Sequence, residues 1–259
     1  MKIIFKPLET IGRISTNFLS SIGEITILFI NIHKNLYRVF RDRKLILKQM
    51  EHIGVNSIPL VLIIALFTGA VSAWQAAYQL KGLAPLSFIG GATIRAIITE
   101  LGPVLTGIVI AGRVGASIAA EIGTMKVTEQ IDALETMSIN PIRYLAMPRY
   151  LASLIMIPIL IVYANLIATI GSFVVSNFFL GISSNVFFES VRTFFSLIDY
   201  FYGIVKGMLF GVITSLIGCY VGFKTEGGAE GVGLATIRAF VFSSASILVF
   251  DYILWNLFY

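Results

Sequence analysis

The chain has 259 residues, of which 57% are hydrophobic and 13% are charged. This composition excludes a soluble globular domain and is typical of a polytopic membrane protein. The formal net charge of +5 does not indicate a nucleic-acid partner, because a surplus of lysine and arginine in a membrane protein marks the loops that stay in the cytoplasm. The single cysteine excludes a disulfide framework, and the sequence offers no cluster of metal-ligating residues.

Residues 1–52 are predicted to form interfacial and cytoplasmic helices ahead of the membrane domain. Between residues 8 and 22 the apolar side chains recur at helical spacing, which is typical of a helix lying along a bilayer surface. The apolar run at 25–32 is too short to span the membrane alone, and it either lies flat or dips in and returns. Six basic residues follow between Lys34 and Lys48, and the positive-inside rule places them in the cytoplasm.

Residues 53–259 are predicted to form one all-α domain with five membrane spans. Each span is an apolar run long enough to cross the hydrocarbon core. The predicted spans cover residues 53–78, 89–112, 151–180, 201–223 and 239–257. Trp74 and Tyr78, near the far end of the first span, are expected to anchor it at the membrane interface.

Three segments between the spans are predicted to lie outside the hydrocarbon core. Residues 117–137 carry apolar side chains three or four apart with charged side chains on another face, which indicates an amphipathic cytoplasmic helix. Residues 186–199 show the same spacing and are predicted to form a short periplasmic helix. The glycine-rich stretch at 224–238 is predicted to be a cytoplasmic loop.

The distribution of basic residues supports this topology. Of the 19 Lys and Arg residues in the chain, fifteen fall in segments assigned to the cytoplasm. Because the positive-inside rule describes such a bias, we expect the N-terminus in the cytoplasm and the C-terminus in the periplasm.

Three ionisable residues, Glu100, Lys206 and Asp251, lie inside the predicted spans. A charged side chain at mid-membrane costs about 3 kcal/mol on insertion scales, so it normally faces the protein interior or a wet cavity. At ~1.5 Å per residue, the three lie about 16, 8 and 9 Å from the periplasmic ends of their spans. We expect them to meet at the polar neck of a cavity suited to an amphiphile. The alternative is a structural ion pair that only locks helices together.

The sequence does not carry the motifs of an enzyme. The dipeptide Gly-Lys does not occur, which excludes a P-loop nucleotide site, and no Ser or Cys nucleophile has a His base at membrane depth. Five spans do not divide into two inverted halves, which disfavours a repeat-built secondary transporter. Two alternatives to a transporter driven by a separate energy source stay open: an ion-coupled carrier or channel that uses Glu100 and Asp251, and a scaffold for another protein.

The segment from residue 100 to residue 149 contains Glu-Leu-Gly-Pro, Ala-Gly-Arg, Ala-Glu-Ile-Gly, Thr-Glu-Gln and Asn-Pro. Together these motifs closely resemble the signature of the MlaE-type (YrbE-type) permeases, and the likeness extends from about residue 53 to the C-terminus. Such permeases are the membrane subunits of ABC transporters that work with MCE-domain proteins to move phospholipids and related lipids. The resemblance implies a transport subunit of a bacterial inner membrane, not an enzyme, with ATP and Mg bound by a partner chain and no cofactor in this one.

The resemblance also implies partners and site residues. It implies a homodimer that binds two ABC ATPase subunits on the cytoplasmic side and MCE-domain proteins on the periplasmic side. The helix at 117–137 would then be the coupling helix, and its ATPase-contacting residues would be Glu121, Met125, Lys126, Glu129, Asp132 and Glu135. The lipid cavity and its polar neck would be formed by Glu100, Lys206, Asp251, Arg95, Trp74 and Tyr78.

One position departs from the family pattern. In proteobacterial members an arginine precedes the glutamate of Glu-Leu-Gly-Pro, whereas this chain has Thr99 there. Arg95 lies about one helical turn earlier and is a candidate substitute as the partner of Glu100.

Overall fold

The computed structural model describes residues 2–83 and 85–258, with the side chains of residues 2–11, 14, 17, 18 and 38 left out. All regular structure in this part of the chain is helical. Five helical segments in it are long and apolar enough to cross a membrane: Arg43–Leu80, Leu86–Val127, Ile142–Phe178, Leu197–Phe223 and Gly228–Phe258. The predicted all-α membrane protein with five spans is therefore confirmed.

The described residues form eleven α-helices. Their bounds are α1 Lys2–Lys34, α2 Arg43–Ile53, α3 Ile58–Leu80, α4 Ile89–Ala96, α5 Gly102–Ile110, α6 Ala116–Val127, α7 Gln130–Thr136, α8 Met147–Phe178, α9 Ser184–Phe194, α10 Leu197–Phe223 and α11 Gly228–Phe258. The bundle has two ends. We call the end that holds α2, α7 and residues 224–227 the basic end, and the end that holds α9 the α9 end.

Spans one and three pack through small residues. A Cβ atom built on Gly69 of α3 would lie 1.8 Å from the carbonyl oxygen of Ala168, and one built on Gly171 of α8 would lie 2.1 Å from that of Leu66. Neither distance is possible for a real side chain, so both positions require glycine. The two backbones are in direct contact, as is common where helices associate inside a bilayer.

Span two is one long rod made of α4, α5 and α6. Its helices are joined by two π-helical turns, Ile97–Leu101 and Ala111–Gly115. The whole segment has 42 residues, which at 1.5 Å per residue is about 63 Å, roughly twice the thickness of the hydrocarbon core. The segment is therefore longer than one crossing of the hydrocarbon core requires.

The single amphipathic helix predicted at 117–137 is wrong. The structure has two helices there, α6 and α7, separated at Glu129, whose φ of 60° puts it in the left-handed region. Ile118 and Ile122 of α6 are fully buried because this helix packs between α10 and α11. Only α7 keeps the exposed character that the sequence pattern predicted.

The glycine-rich loop predicted at 224–238 is also wrong. Helix α11 begins at Gly228, so the turn covers residues 224–227. Gly227 and Gly228 have φ values of 87° and 65°, which is the conformation that lets the chain reverse there. The remaining glycines are helical because Ala235 and Ala239 are buried where α11 packs against α6 and α10, and this packing outweighs the low helix propensity of glycine.

The N-terminal region is one continuous helix of 33 residues. The predicted surface helix at 8–22 and the apolar run at 25–32 are both parts of α1, so the chain does not dip and return there. Most side chains of residues 8–18 that carry the predicted apolar face lie outside the described set. The C-terminal half of α1 packs against the bundle at the basic end, where Leu28 and Ile32 are buried.

Candidate functional site

The three intramembrane charges meet at one point, which we call the Lys206 cluster. The Nζ atom of Lys206 lies 2.7 Å from Oε2 of Glu100 and 2.7 Å from Oδ1 of Asp251. It also donates a hydrogen bond of 3.1 Å to the backbone carbonyl of Thr99. The Lys206 side chain is completely buried. Spans two, four and five are thus joined by a single ammonium group.

The Glu-Leu-Gly-Pro motif explains why Lys206 binds a carbonyl. In a regular α-helix the N–H of residue 103 would donate to the carbonyl of residue 99, but Pro103 has no N–H. The π-helical turn Ile97–Leu101 lies just before this proline, and irregular turns of this kind are frequent at functional sites. The ammonium of Lys206 takes the place of the missing donor.

A glycine one turn away brings the two spans close enough for this contact. A Cβ atom built on Gly203 would lie 2.7 Å from the carbonyl oxygen of Ile98. The backbone of α10 therefore touches the π-helical turn directly. Because residues 203 and 206 lie on the same face of a helix, this close approach places Lys206 against Thr99 and Glu100.

The cluster contains two carboxyl groups and one ammonium group. With both carboxylates ionised and Lys206 protonated, its formal charge is −1. Glu100 keeps 39% of its side chain exposed, whereas Asp251 keeps 9%. Charged groups at this depth are stable only when paired or in contact with water, and Glu100 provides the exposed side of the cluster.

An apolar cleft opens at the α9 end beside this cluster. Its volume is about 820 Å³, within the range of ligand pockets. The lining residues are Leu80, Phe88, Gly91, Ala92, Arg95, Ala96, Thr99, Phe194 and Trp255. The Trp255 ring centre lies 5.4 Å from the Nζ atom of Lys206, so the cleft and the cluster share a wall. We call this feature the α9-end cleft.

Helix α9 forms one side of the cleft because it is fastened to α4. The backbone N–H of Gly91 donates to Oγ of Ser190 over 2.9 Å. The rings of Phe88 and Phe194 meet edge to face with their centres 5.8 Å apart. The short helix predicted at 186–199 is present as α9, although it ends at Phe194 and α10 begins three residues later.

Of the remaining predicted cavity residues, the structure places Arg95 at the cleft and Trp74 and Tyr78 away from it. Arg95 lines the cleft, but its ion pair is with Asp199, 3.8 Å from Nε to Oδ2, and Glu100 has Lys206 as its partner instead. Trp74 and Tyr78 are both exposed on α3 and do not line the cleft. Arg95 was predicted to replace the missing arginine as the partner of Glu100, and this prediction is wrong.

Sequence reasoning missed two members of this site. Asp199 lies in the first turn of α10 and was assigned to the end of the surface helix at 186–199. Trp255 lies within the fifth span and was not assigned a role from the sequence. The available signal for Asp199 was a carboxylate at the start of a span, and that for Trp255 was an aromatic residue one turn from Asp251. Neither signal identifies the partner of the residue, because the partner depends on how the helices pack.

At the basic end, the predicted coupling residues divide into two groups. Glu121 lies 2.7 Å from Nη2 of Arg149, which is 5% exposed, so Glu121 mainly neutralises a buried charge. Met125 packs against the core. The second group lies at the surface. Glu129 and Glu135 are exposed, and Lys126 forms an ion pair with Asp132 in which Nζ lies 3.0 Å from Oδ1.

A second cleft, the basic-end cleft, separates α1 from α7 and the end of α10. It has a volume of about 710 Å³ and is open to solvent. Glu24 of α1 accepts a hydrogen bond of 3.0 Å from the Tyr220 hydroxyl and is paired with Lys224. This contact with Lys224 lowers the pKa of Glu24 below 4.5 and raises the pKa of Lys224 above 10.5. The pair holds α1 against the turn between spans four and five.

The five apolar spans and the two clefts are those of a polytopic membrane protein. Residues 46–257 match the family described as Permease MlaE, and the chain belongs to this family. It is 38% identical over 257 residues to a probable ABC transporter permease protein of Rickettsia conorii, with 99% of each chain covered. A probable ABC transporter permease protein of Synechocystis is 41% identical over 218 residues, which cover 84% of this chain and 83% of that one. The resemblance seen in the sequence is therefore confirmed.

A plant relative extends this group. The chloroplastic protein Trigalactosyldiacylglycerol 1 of Arabidopsis thaliana is 36% identical over 213 residues, which cover 82% of this chain and 61% of the plant protein. The chain is thus a membrane permease subunit of the ABC transporter type.

Proposed function

We propose that this permease moves phospholipids or related lipids between a bacterial inner membrane and an MCE-domain partner in the periplasm. It acts as a homodimer, and two separate ABC ATPase subunits bind ATP and Mg and supply the energy. The permease itself catalyses no reaction. A lipid substrate agrees with the name of the plant relative, which is that of a glycolipid.

The observation that carries this proposal is the α9-end cleft. Its walls are mostly apolar, and it adjoins a charged cluster inside the membrane bundle. An apolar cleft with charge at one edge is complementary to an amphiphile, whose chain requires apolar walls and whose head group requires polar contacts. A small polar solute would gain nothing from such walls.

The orientation follows from charge. The basic end carries the cationic cluster of residues 34–48, so it faces the cytoplasm, together with the N-terminus. The α9-end cleft and the C-terminus of α11 then face the periplasm, where the MCE-domain partner is. The exposed acidic residues of α7 and the α6–α7 break lie on the cytoplasmic side and offer a surface for the ATPase.

The arrangement of the Lys206 cluster does not favour an ion-coupled carrier. Such a carrier would use Glu100 and Asp251 to bind a proton or metal cation. The ammonium of Lys206 lies 2.7 Å from an oxygen of each carboxylate, so a cation already fills the space between them.

Reconstitution of the permease with its ATPase and MCE-domain partner tests the proposal. We expect ATP hydrolysis to be stimulated by phospholipid and labelled phospholipid to transfer between vesicles and the MCE-domain protein. An Ala92→Trp change fills the cleft and should reduce transfer to the level without ATP, whereas the matched Ala92→Ser change leaves the cleft open and should transfer normally. Unchanged transfer with Ala92→Trp would exclude the cleft as the lipid path. A wild-type complex without lipid-dependent hydrolysis or transfer would exclude the function.

A further inference from the structure

We infer that an ion pair between Asp42 and Arg143 transmits movement of α7 to span one. The two residues are 101 positions apart in the sequence. Asp42 lies just before α2, and Arg143 lies in the π-helical turn Ile142–Ala146 that follows α7. The inference rests on the proposed function, in which the ATPase binds α7, and it adds the residues that link this surface to the spans. Both act through other parts of the chain and are therefore positioning residues.

Helix α7 is a separate segment between two residues of unusual backbone conformation. Glu129, just before it, has a φ of 60°, and Ser138, shortly after it, has a φ of 59°. In the part of the chain that the structure describes, these are the two non-glycine residues with positive φ. Residues in this region of φ and ψ are under strain and are concentrated in switch segments and at functional sites. The conformation of the two residues is thus typical of a segment that moves as one piece.

The chain after α7 is held by hydrogen bonds as far as Arg143. The backbone N–H of Ile139 donates to the carbonyl of Leu134 over 2.9 Å. The side-chain oxygen of Asn140 then accepts from the backbone N–H groups of Ile142 and Arg143, over 2.9 and 3.3 Å. Because this connection is short and bonded, a displacement of α7 reaches Arg143 instead of being absorbed by a loose loop.

Arg143 binds Asp42 through two parallel hydrogen bonds, which we call the Asp42–Arg143 fork. Nε donates to Oδ2 over 2.8 Å, and Nη2 donates to Oδ1 over 2.9 Å. The side chains of Arg143 and Asp42 are 24% and 13% exposed. A bidentate pair of this kind is stronger and more directional than a single hydrogen bond, and partial burial protects it from screening by salt. The fork therefore fixes the relative position of the two segments.

Asp42 leads directly into span one. Its backbone carbonyl accepts from the N–H of Leu45 in the first turn of α2. Helix α2, the turn after it and α3 form one helical segment, Arg43–Leu80. Leu80, at the other end of this segment, lines the α9-end cleft. A shift of Asp42 is thus passed along a continuous helix to the wall of the cleft.

Two other ion pairs at the basic end are poorer links for α7. The pair of Glu121 and Arg149 joins α6 to α8, and because Glu121 lies ahead of Glu129 it does not follow α7. The pair of Lys126 and Asp132 joins α6 to α7, but its side chains are 37% and 55% exposed. Exposed ion pairs contribute little. The fork is the stronger charged contact between the α7 region and a span.

A double-mutant cycle on the reconstituted complex of permease, ATPase and MCE-domain partner tests the inference. ATP hydrolysis and transfer of labelled phospholipid are measured together, and the readout is the lipid transferred per ATP hydrolysed. We expect Asp42→Asn and Arg143→Gln each to lower this ratio about tenfold, while the ATPase still co-purifies with the permease. The two changes together should lower it no further, because each single change already removes the same link.

Arg143→Lys keeps the positive charge without the planar fork and should give an intermediate ratio. The matched control is Glu24→Gln, which breaks the ion pair with Lys224 at the same end of the bundle and should leave the ratio unchanged. An unchanged ratio in both single variants, an equal fall in the control, or a fall of about a hundredfold in the double variant would overturn the inference alone. A wild-type complex that hydrolyses ATP and transfers no lipid would instead contradict the proposed function.

Discussion

The Nζ atom of Lys206 lies 2.7 Å from Oδ1 of Asp251, across the contact between spans four and five. The same ammonium lies 2.7 Å from Oε2 of Glu100 on span two. Three spans therefore depend on one buried positive charge. Removal of that charge leaves two carboxylates next to each other with no counter-ion, and this is more costly than the loss of either carboxylate.

A Lys206→Met change should lower the free energy of unfolding by about 3–5 kcal/mol, because a buried ion pair loses one partner. Thermal unfolding of the purified permease in detergent measures this effect. The double change Lys206→Met with Asp251→Asn removes a carboxylate as well and should recover a large part of the stability. If the single change were as stable as wild type, the cluster would not hold the spans together.

The meeting of Glu100, Lys206 and Asp251 could be predicted because depth in a membrane span follows directly from position in the sequence. Three charges at similar depth on different helices have few alternatives to one another as partners. The pairing of Arg95 with Asp199 could not be predicted in this way. It depends on how the first turn of α10 packs beside α4, which helical spacing within one span does not reveal.

The break between α6 and α7 had no signal in the sequence. The residues from Lys126 to Glu129 include neither glycine nor proline, and Glu129 takes a left-handed conformation that is unusual for a glutamate. Tertiary contacts set the break, because Ile131 is buried and Asp132 reaches back to Lys126. Residues 228–238 were predicted to be a loop, and this error also arose from tertiary packing. The packing of α11 makes these residues helical although glycine has a low helix propensity.

Glu121 illustrates how a predicted docking residue can be structural. Its carboxylate lies 2.7 Å from a guanidinium nitrogen of Arg149, whose side chain is almost completely buried. A Glu121→Ala change should therefore destabilise the permease by about 2 kcal/mol because the buried Arg149 loses its charged partner. Thermal unfolding measures the loss. The Glu121→Ala, Arg149→Met double change should be less destabilised than the single change, and affinity for the ATPase should be unaltered in the folded protein. If Glu121→Ala lowered the affinity for the ATPase without lowering the stability of the permease, Glu121 would be part of the docking surface.

Glu129 and Glu135 are better candidates for contact with the ATPase, because both are exposed and Asp132 is already paired with Lys126. Reversal of both to lysine should reduce co-purification of the ATPase about tenfold, since like charges would then face a basic partner surface. The matched control is Glu189→Lys, an exposed glutamate on α9 at the other end of the bundle. Equal recovery of the ATPase with the double reversal and with the control would contradict docking through α7.

The pair of Glu24 and Lys224 predicts a pH dependence for the attachment of α1. The pKa of Glu24 is lowered from 4.5 by its contact with Lys224, so its stabilising contribution is complete above pH 4.5 and is lost as the pH falls through the lower folded-state pKa. The pKa of Lys224 is raised from 10.5 by Glu24, so its contribution is complete below pH 10.5 and is lost only at still higher pH. The attachment should therefore be constant at neutral pH and weaken in acid.

Spin labels on Leu19→Cys in α1 and Glu226→Cys in the turn after α10 report this attachment as a distance, because both positions are exposed and the native Cys219 is buried. We expect a constant distance between pH 6 and 9, inside the window set by the two pKa shifts, and a longer or broader distribution once the pH falls below 4.5. A Glu24→Gln variant should show the longer distance at every pH, because it cannot form the ion pair. A transition near neutral pH, or the same transition in Glu24→Gln, would show that another group controls how α1 is held.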